Sequence, residues 1–171
     1  MPFVSTEQVL EQVRQILEER FDKRRKELSN GPELVAPVRK WVLDEFDFPS
    51  GADRGDFPKG IVALDDAGRT SQRREQDTGE TATIAIVVRV FFSVTGSKAS
   101  LEREAIRYGD GIYYTLMREA LVKRPKDGTV LPGLFRIWPD TMRVGSPASQ
   151  DLMGAEVRAT VTVDSSFQAA V

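Results

Sequence analysis

The chain has no cysteine and no histidine. Without thiols there is neither a disulfide framework nor thiol chemistry. Without imidazole there is no Ser-His-Asp arrangement, no Cys–His pair and no zinc site of the usual kind. An excess of one charge is missing too: Lys+Arg 24 against Asp+Glu 26 gives a net charge of -2 over 171 residues. No basic surplus therefore points to constitutive nucleic-acid binding. No stretch approaches the apolar length of a membrane span. MPFVSTEQ carries no basic segment followed by an apolar run, so no signal peptide is expected. Gly109-Asp110-Gly111 falls inside a helical pattern and no Gly-Lys-Ser/Thr follows it, so it is not a phosphate loop. No internal repeat is evident. The length suits one domain, residues 1–171, with a core of its own.

What the chain does have is one long alternating run, Thr81 to Thr95. Ala82, Ile84, Ile86, Val88, Val90, Phe92 and Val94 share one parity and predict an unbroken apolar strand face. The other parity reads Thr81, Thr83, Ala85, Val87, Arg89, Phe91 and Ser93. It predicts a second face covered only in part. Fully extended, the run spans roughly 45 Å, well beyond the common strand length. Part of it is expected to meet another subunit or to stand out as a long hairpin arm.

Two helices frame this strand. Ser5 and Gln8 have the spacing of a capping box, and Val9, Leu10, Val13, Ile16, Leu17, Phe21 and Leu28 follow at helical spacing. Asn30-Gly31-Pro32 ends this first helix, residues 5–30. The Lys23 to Lys26 cluster near its end favours the helix dipole, holding phosphate being the other use of such a cluster. The second helix follows a Ser97 or Ser100 cap. Leu101, Ala105, Tyr108, Ile112, Leu116 and Ala120 form its stripe, and Lys123-Arg124-Pro125 closes it.

The other segments are shorter. Gly60 to Leu64 predicts a brief strand. Residues 67–80 are polar and aperiodic and predict a hairpin tip loop with Arg69, Arg73 and Arg74 exposed. Leu134 to Trp138 predicts a third strand, Asp140 to Met153 a loop, and Ala155 to Asp164 a half-exposed antiparallel strand. Residues 165–171 form a tail ending in Phe167, Ala169, Ala170 and Val171. Glu33 to Pro58 resists assignment. Within it, Trp41 and Phe46 are candidates for covering a core edge or docking on a neighbour. Asp44, Glu45 and Asp47 read as a solvated face rather than a metal site, and Arg54-Gly55-Asp56 as a chance match to an adhesion tripeptide. The sum is an α+β fold: a four-stranded, mainly antiparallel sheet, two helices on one face, order α-β-β-α-β-β, with residues 57–164 holding the sheet and second helix.

Several short patterns recur in a fixed order. They are the N-terminal amphipathic helix, Phe57-Pro58-Lys59-Gly60-Ile61-Val62, the Ile84 to Val94 strand, and a helix with Tyr108-Gly109-Asp110-Gly111-Ile112 and Leu116. A Leu131-Pro132-Gly133 turn and a last strand from about Gly154-Ala155 follow. In these features the chain, from about Ser5 to Asp164, resembles the small tail-terminator, tail-completion and neck proteins of long-tailed bacteriophages. Val35 to Phe48 departs from that pattern.

The resemblance implies a structural virion protein. It would form a ring, commonly hexameric, at the head-proximal end of the tail. It would stop the tail tube and join it to the head, meeting a tail tube protein and a head–tail connector. DNA would pass its lumen without specific binding. It would work in the virion after assembly in the host cytoplasm, with no membrane, cofactor, metal or catalytic residue. The expected interface residues are Arg69, Arg73, Arg74, Arg89, Phe91, Trp41, Phe46 and Phe167. Two other readings remain: a head-side connector or tail-assembly chaperone, and an enzyme using carboxylates alone or with a divalent metal.

Overall fold

The computed structural model describes residues 4–28, 35–43, 57–73, 79–93, 98–119, 135–145 and 152–166. They form α1 (Thr6–Leu28), β1 (Lys40–Leu43), β2 (Lys59–Arg73), β3 (Gly79–Ser93), α2 (Lys98–Glu119), β4 (Phe135–Gly145) and β5 (Leu152–Ser166). The fold is α+β, as its elements predict. The sheet, however, has five strands in the order β1-β2-β3-β5-β4 and is mixed. β1 runs parallel to β2, and the other pairs are antiparallel.

β3 is central, and its two parities behave as its sequence dictates. Ala82, Ile84, Ile86, Val88, Val90 and Phe92 are buried on the side that carries both helices. Val9, Val13, Ile16, Leu17 and Phe21 of α1 meet them there, with Leu101, Ala105, Tyr108, Ile112 and Leu116 of α2. Burying each such aliphatic side chain contributes about 1.5–3 kcal/mol. β5 supplies Ala155, Val157, Ala159, Val161 and Val163 to the same layer. The Tyr108 ring stacks on Phe21 at 6.5 Å and tilts against Phe92 at 5.3 Å. Its hydroxyl donates to the Ala36 carbonyl at 2.8 Å, which ties the segment before β1 to the core.

The capping box at the start of α1 is present. The Gln8 amide donates to Ser5 Oγ at 3.1 Å, and the Ser5 amide donates to Gln8 Oε1 at 2.8 Å. Arg24, Arg25 and Lys26 of the basic cluster near the other end are engaged in ion pairs. Arg24 reaches the buried Glu119 of α2, with NH2 at 2.7 Å and Nε at 3.1 Å from Oε1. Arg25 donates to the Val35 carbonyl at 2.6 Å and pairs with Asp22. Lys26 also pairs with Asp22, at 2.9 Å.

Three sequence expectations are corrected. First, β1 is a strand where none was assigned. Second, the short Gly60 to Leu64 strand runs on to Arg73, so residues 67–73 of the expected tip loop belong to β2, with Arg69 to Arg73 paired to β3. An irregularity between Leu64 and Arg69 sets Leu64 opposite Ile86 and Arg69 opposite Ile84. Gly68, at φ 62, makes the bend, and the polar residues then resume the ladder through their backbones. Third, β4 continues through Gly145, past a second irregularity between Pro139 and Thr141, and β5 already starts at Leu152. Asn30-Gly31-Pro32, the Leu131-Pro132-Gly133 turn, Arg54-Gly55-Asp56 and Asp44 to Asp47 lie outside the described residues.

Candidate functional site

Both described helices pack on one side of the sheet, and among the described residues no helix covers the other side. The odd parity of β3 faces it, beside Ile61 and Ala63 of β2 and Leu152, Gly154, Glu156, Arg158, Thr160 and Thr162 of β5.

Two features divide this face. At one corner Phe57, Ile61, Phe91 and Leu152 form a small apolar cluster, with Val42 against it. Gly154 makes room for it: a Cβ there would lie 2.7 Å from the Phe91 ring and 2.7 Å from the Val90 carbonyl oxygen. Beyond the cluster a ribbon of charge crosses three strands. Arg89 Nε donates to Glu156 at 2.9 Å, directly across the β3–β5 ladder. Arg158 Nε donates to the other oxygen of Glu156 at 3.0 Å, and its NH1 donates to both oxygens of Asp65 at 3.0 and 3.1 Å. Arg158 is on β5 and Asp65 on β2, two strand spacings or about 10 Å apart. The arginine must therefore lie across Val87, its register partner on β3. Val87 is 2% exposed. Burial pushes the Glu156 carboxyl up, but the hydrogen bonds from Arg89 and Arg158 outweigh it and hold the group below the usual carboxylate range.

At the opposite edge the face is open. Trp138 of β4 is 68% exposed. It pairs in register with Thr160, and Arg136 and Arg143 stand on the same side of the strand, both exposed. The sequence carried a signal for this. Phe135, Ile137 and Pro139 alternate with Arg136, Trp138 and Asp140, so the tryptophan falls on the charged parity.

The expected interface residues scatter. Arg89 and Phe91 are on this face, the first in the charge ribbon and the second in the apolar corner. Trp41 is 6% exposed, edge-on to Phe21 at 5.4 Å and packed over Gly60, so it covers a core edge. Arg69 lies on the helical side rather than exposed. It donates to the Val4 carbonyl at 2.8 Å and pairs with Glu80, fastening the start of α1 to β2 and β3. Arg73 ends β2, and its side chain lies outside the description, as do Arg74, Phe46 and Phe167 altogether. Among the described residues no three acids gather as a metal site requires, and no helix is long and apolar enough to cross a membrane.

No family model matches the sequence, and no curated protein matches it. Among solved structures, a chain from the virion of a native gene transfer agent (GTA) particle is similar at 14% identity and a TM-score of 0.46, over 87% of this chain and 95% of that one.

Proposed function

We propose that the protein is a structural subunit of a phage virion that forms a ring at the head-proximal end of the tail. There it terminates the tail tube and joins it to the head. The observation that carries this reading is the pair of unlike outer surfaces on one sandwich. One is a sheet face that no described helix covers, with an exposed tryptophan on its rim; the other is a helical layer studded with charge. Head-to-tail rings need two different complementary faces on each subunit. The ordered elements that resemble tail-terminator and neck proteins support the same reading. The sequence resemblance favours six copies, a tail tube protein below and a connector above. DNA passes through the lumen, and the -2 net charge of the chain suits a conduit that does not retain it.

The test is immunogold labelling of intact particles, paired with electron microscopy of the purified protein. Label confined to the head–tail junction, in several copies per particle, is the expected result. A single copy per particle, label elsewhere on the virion, or a chain absent from finished particles would sink the reading. The last of these is the result a tail-assembly chaperone gives.

A further inference from the structure

We infer that the contact between neighbouring subunits joins the open edge of β4 on one copy to the outer stripe of α1 on the next. This contact names the partner surface of the ring proposed above and so rests on that reading.

The β4 side presents Trp138 between Arg136 and Arg143, on the sheet face that no described helix covers. Neither arginine has an ion-pair partner among the described residues. Tryptophan and arginine are the residue types that most often dominate interface energetics. The complementary surface is on the same chain but on the opposite side of the sandwich. Opposite its buried stripe, α1 carries Glu7, Glu11, Arg14 and Glu18 at i, i+4, i+7 and i+11. That is three acids and one base. Arg14 pairs with Glu11 at 2.6 Å and with Glu18 at 2.8 Å, which leaves the stripe net negative. Glu7 is exposed in the first turn.

The dimensions agree. Glu7 and Glu18 are about 16 Å apart along the axis at about 1.5 Å per residue. Arg136 and Arg143 are about 20 Å apart along an irregular strand. The two surfaces lie on opposite faces, so pairing them is heterologous, the kind of contact that closes into a ring.

Charge reversal tests this directly on the full chain. R136E/R143E makes both surfaces acidic, and E7K/E18K makes both basic. All four positions are exposed, so circular dichroism should be unchanged. Association is followed by sedimentation velocity at low salt and by acrylamide quenching of Trp138, which dominates because Trp41 is buried. The wild type is expected to associate as concentration rises, with Trp138 becoming shielded. Each double reversal should weaken that association about tenfold or more. A one-to-one mixture of the two variants should restore it, because each then meets its complement; a misfolded variant cannot mimic that.

The inference is overturned if the wild type stays monomeric to about 1 mM, the weak end of specific association. Reversals without effect, or mixing without restoration, overturn it as well. So does shielding of Trp138 by a single-stranded DNA oligonucleotide in place of a second copy. A multi-copy ring at the head–tail junction whose assembly ignores these reversals would overturn this contact and leave the ring reading standing.

Discussion

Val88 commits the whole sheet through one side chain. It is fully buried on β3, between Val62 of β2 and Val157 of β5, under both helices. Val88→Asp places a carboxylate there with no partner, at a cost of several kcal/mol. We expect no cooperative thermal transition and recovery only from the insoluble fraction; a soluble variant melting like the wild type would show that this face is not the core. Tyr108 makes a subtler case. It is buried between Phe21 and Phe92, and its hydroxyl has one acceptor, the Ala36 carbonyl. Tyr108→Phe should keep the ring packing and lose that bond, lowering stability by about 1 kcal/mol in urea unfolding. Burial, and secondarily Glu104, push the phenol above its ordinary value, against a smaller opposing effect of Arg25. The folded state thus favours the protonated ring. That contribution is complete below about pH 10, the unfolded value, and is lost as pH rises further. The alkaline limb of stability should therefore be shallower in Tyr108→Phe. Both residues were legible in the sequence, because each sits on an apolar stripe of regular period. Arg69 was not: its polar neighbourhood reads as solvent, while its guanidinium fastens α1 across the sheet. The exposure of Trp138 was legible only in part: its charged parity marks it, but which face of the sheet the described helices cover is a nonlocal matter.

Among elements, legibility follows how much of the defining information is local. α1, α2, β3 and β5 carry their own period and, for α1, their own cap. β1 has four residues, and only its parallel partner β2 makes it a strand. The outer half of β2, Arg69 to Arg73, has no apolar alternation, because β3 provides the burial and β2 provides the backbone ladder. The outer half of β4 was hidden in the same way behind Pro139 and the irregularity beside it. The α1–α2 contact is a further nonlocal device. Glu119 is buried, its Oε1 receives both Arg24 contacts, and Arg20 Nε stands 4.0 Å from Oε2. Glu119→Ala leaves the half-buried Arg24 with Glu27 alone, and should cost about 3 kcal/mol of unfolding free energy. A loss below about 0.5 kcal/mol, the scale of an exposed pair, would mean that solvent already screens this contact.

At the scale of the whole molecule, acid should be the condition the fold tolerates least. Among the described residues, four carboxylates are held below their usual range by the native structure. Hydrogen bonds from Arg14, Lys26 and Arg24 lead for Glu11, Asp22 and Glu27 respectively, while for Glu156 the Arg89 and Arg158 bonds overcome burial. Such groups contribute stability that is complete above the unfolded carboxylate values of about 4, and that is lost as pH falls through the lower folded ones. Glu104 and Asp110 act in the opposite sense, since burial raises both. Their contribution is present below the unfolded values and is lost as pH rises through the folded ones. Four groups against two, with Glu156 joining β3 to β5 and, through Arg158, to Asp65 on β2, make the acid side the weaker. The melting temperature should fall between pH 6 and pH 3 more steeply than it changes between pH 6 and pH 8. Glu156→Gln should flatten the acid limb while lowering the melting temperature at neutral pH. Asp110→Asn should raise stability at neutral pH and leave it unchanged at pH 3. A melting temperature that rises on acidification would mean that Glu104 and Asp110 of α2, and not the ion pairs of α1 and the sheet, govern the response of this fold to protons.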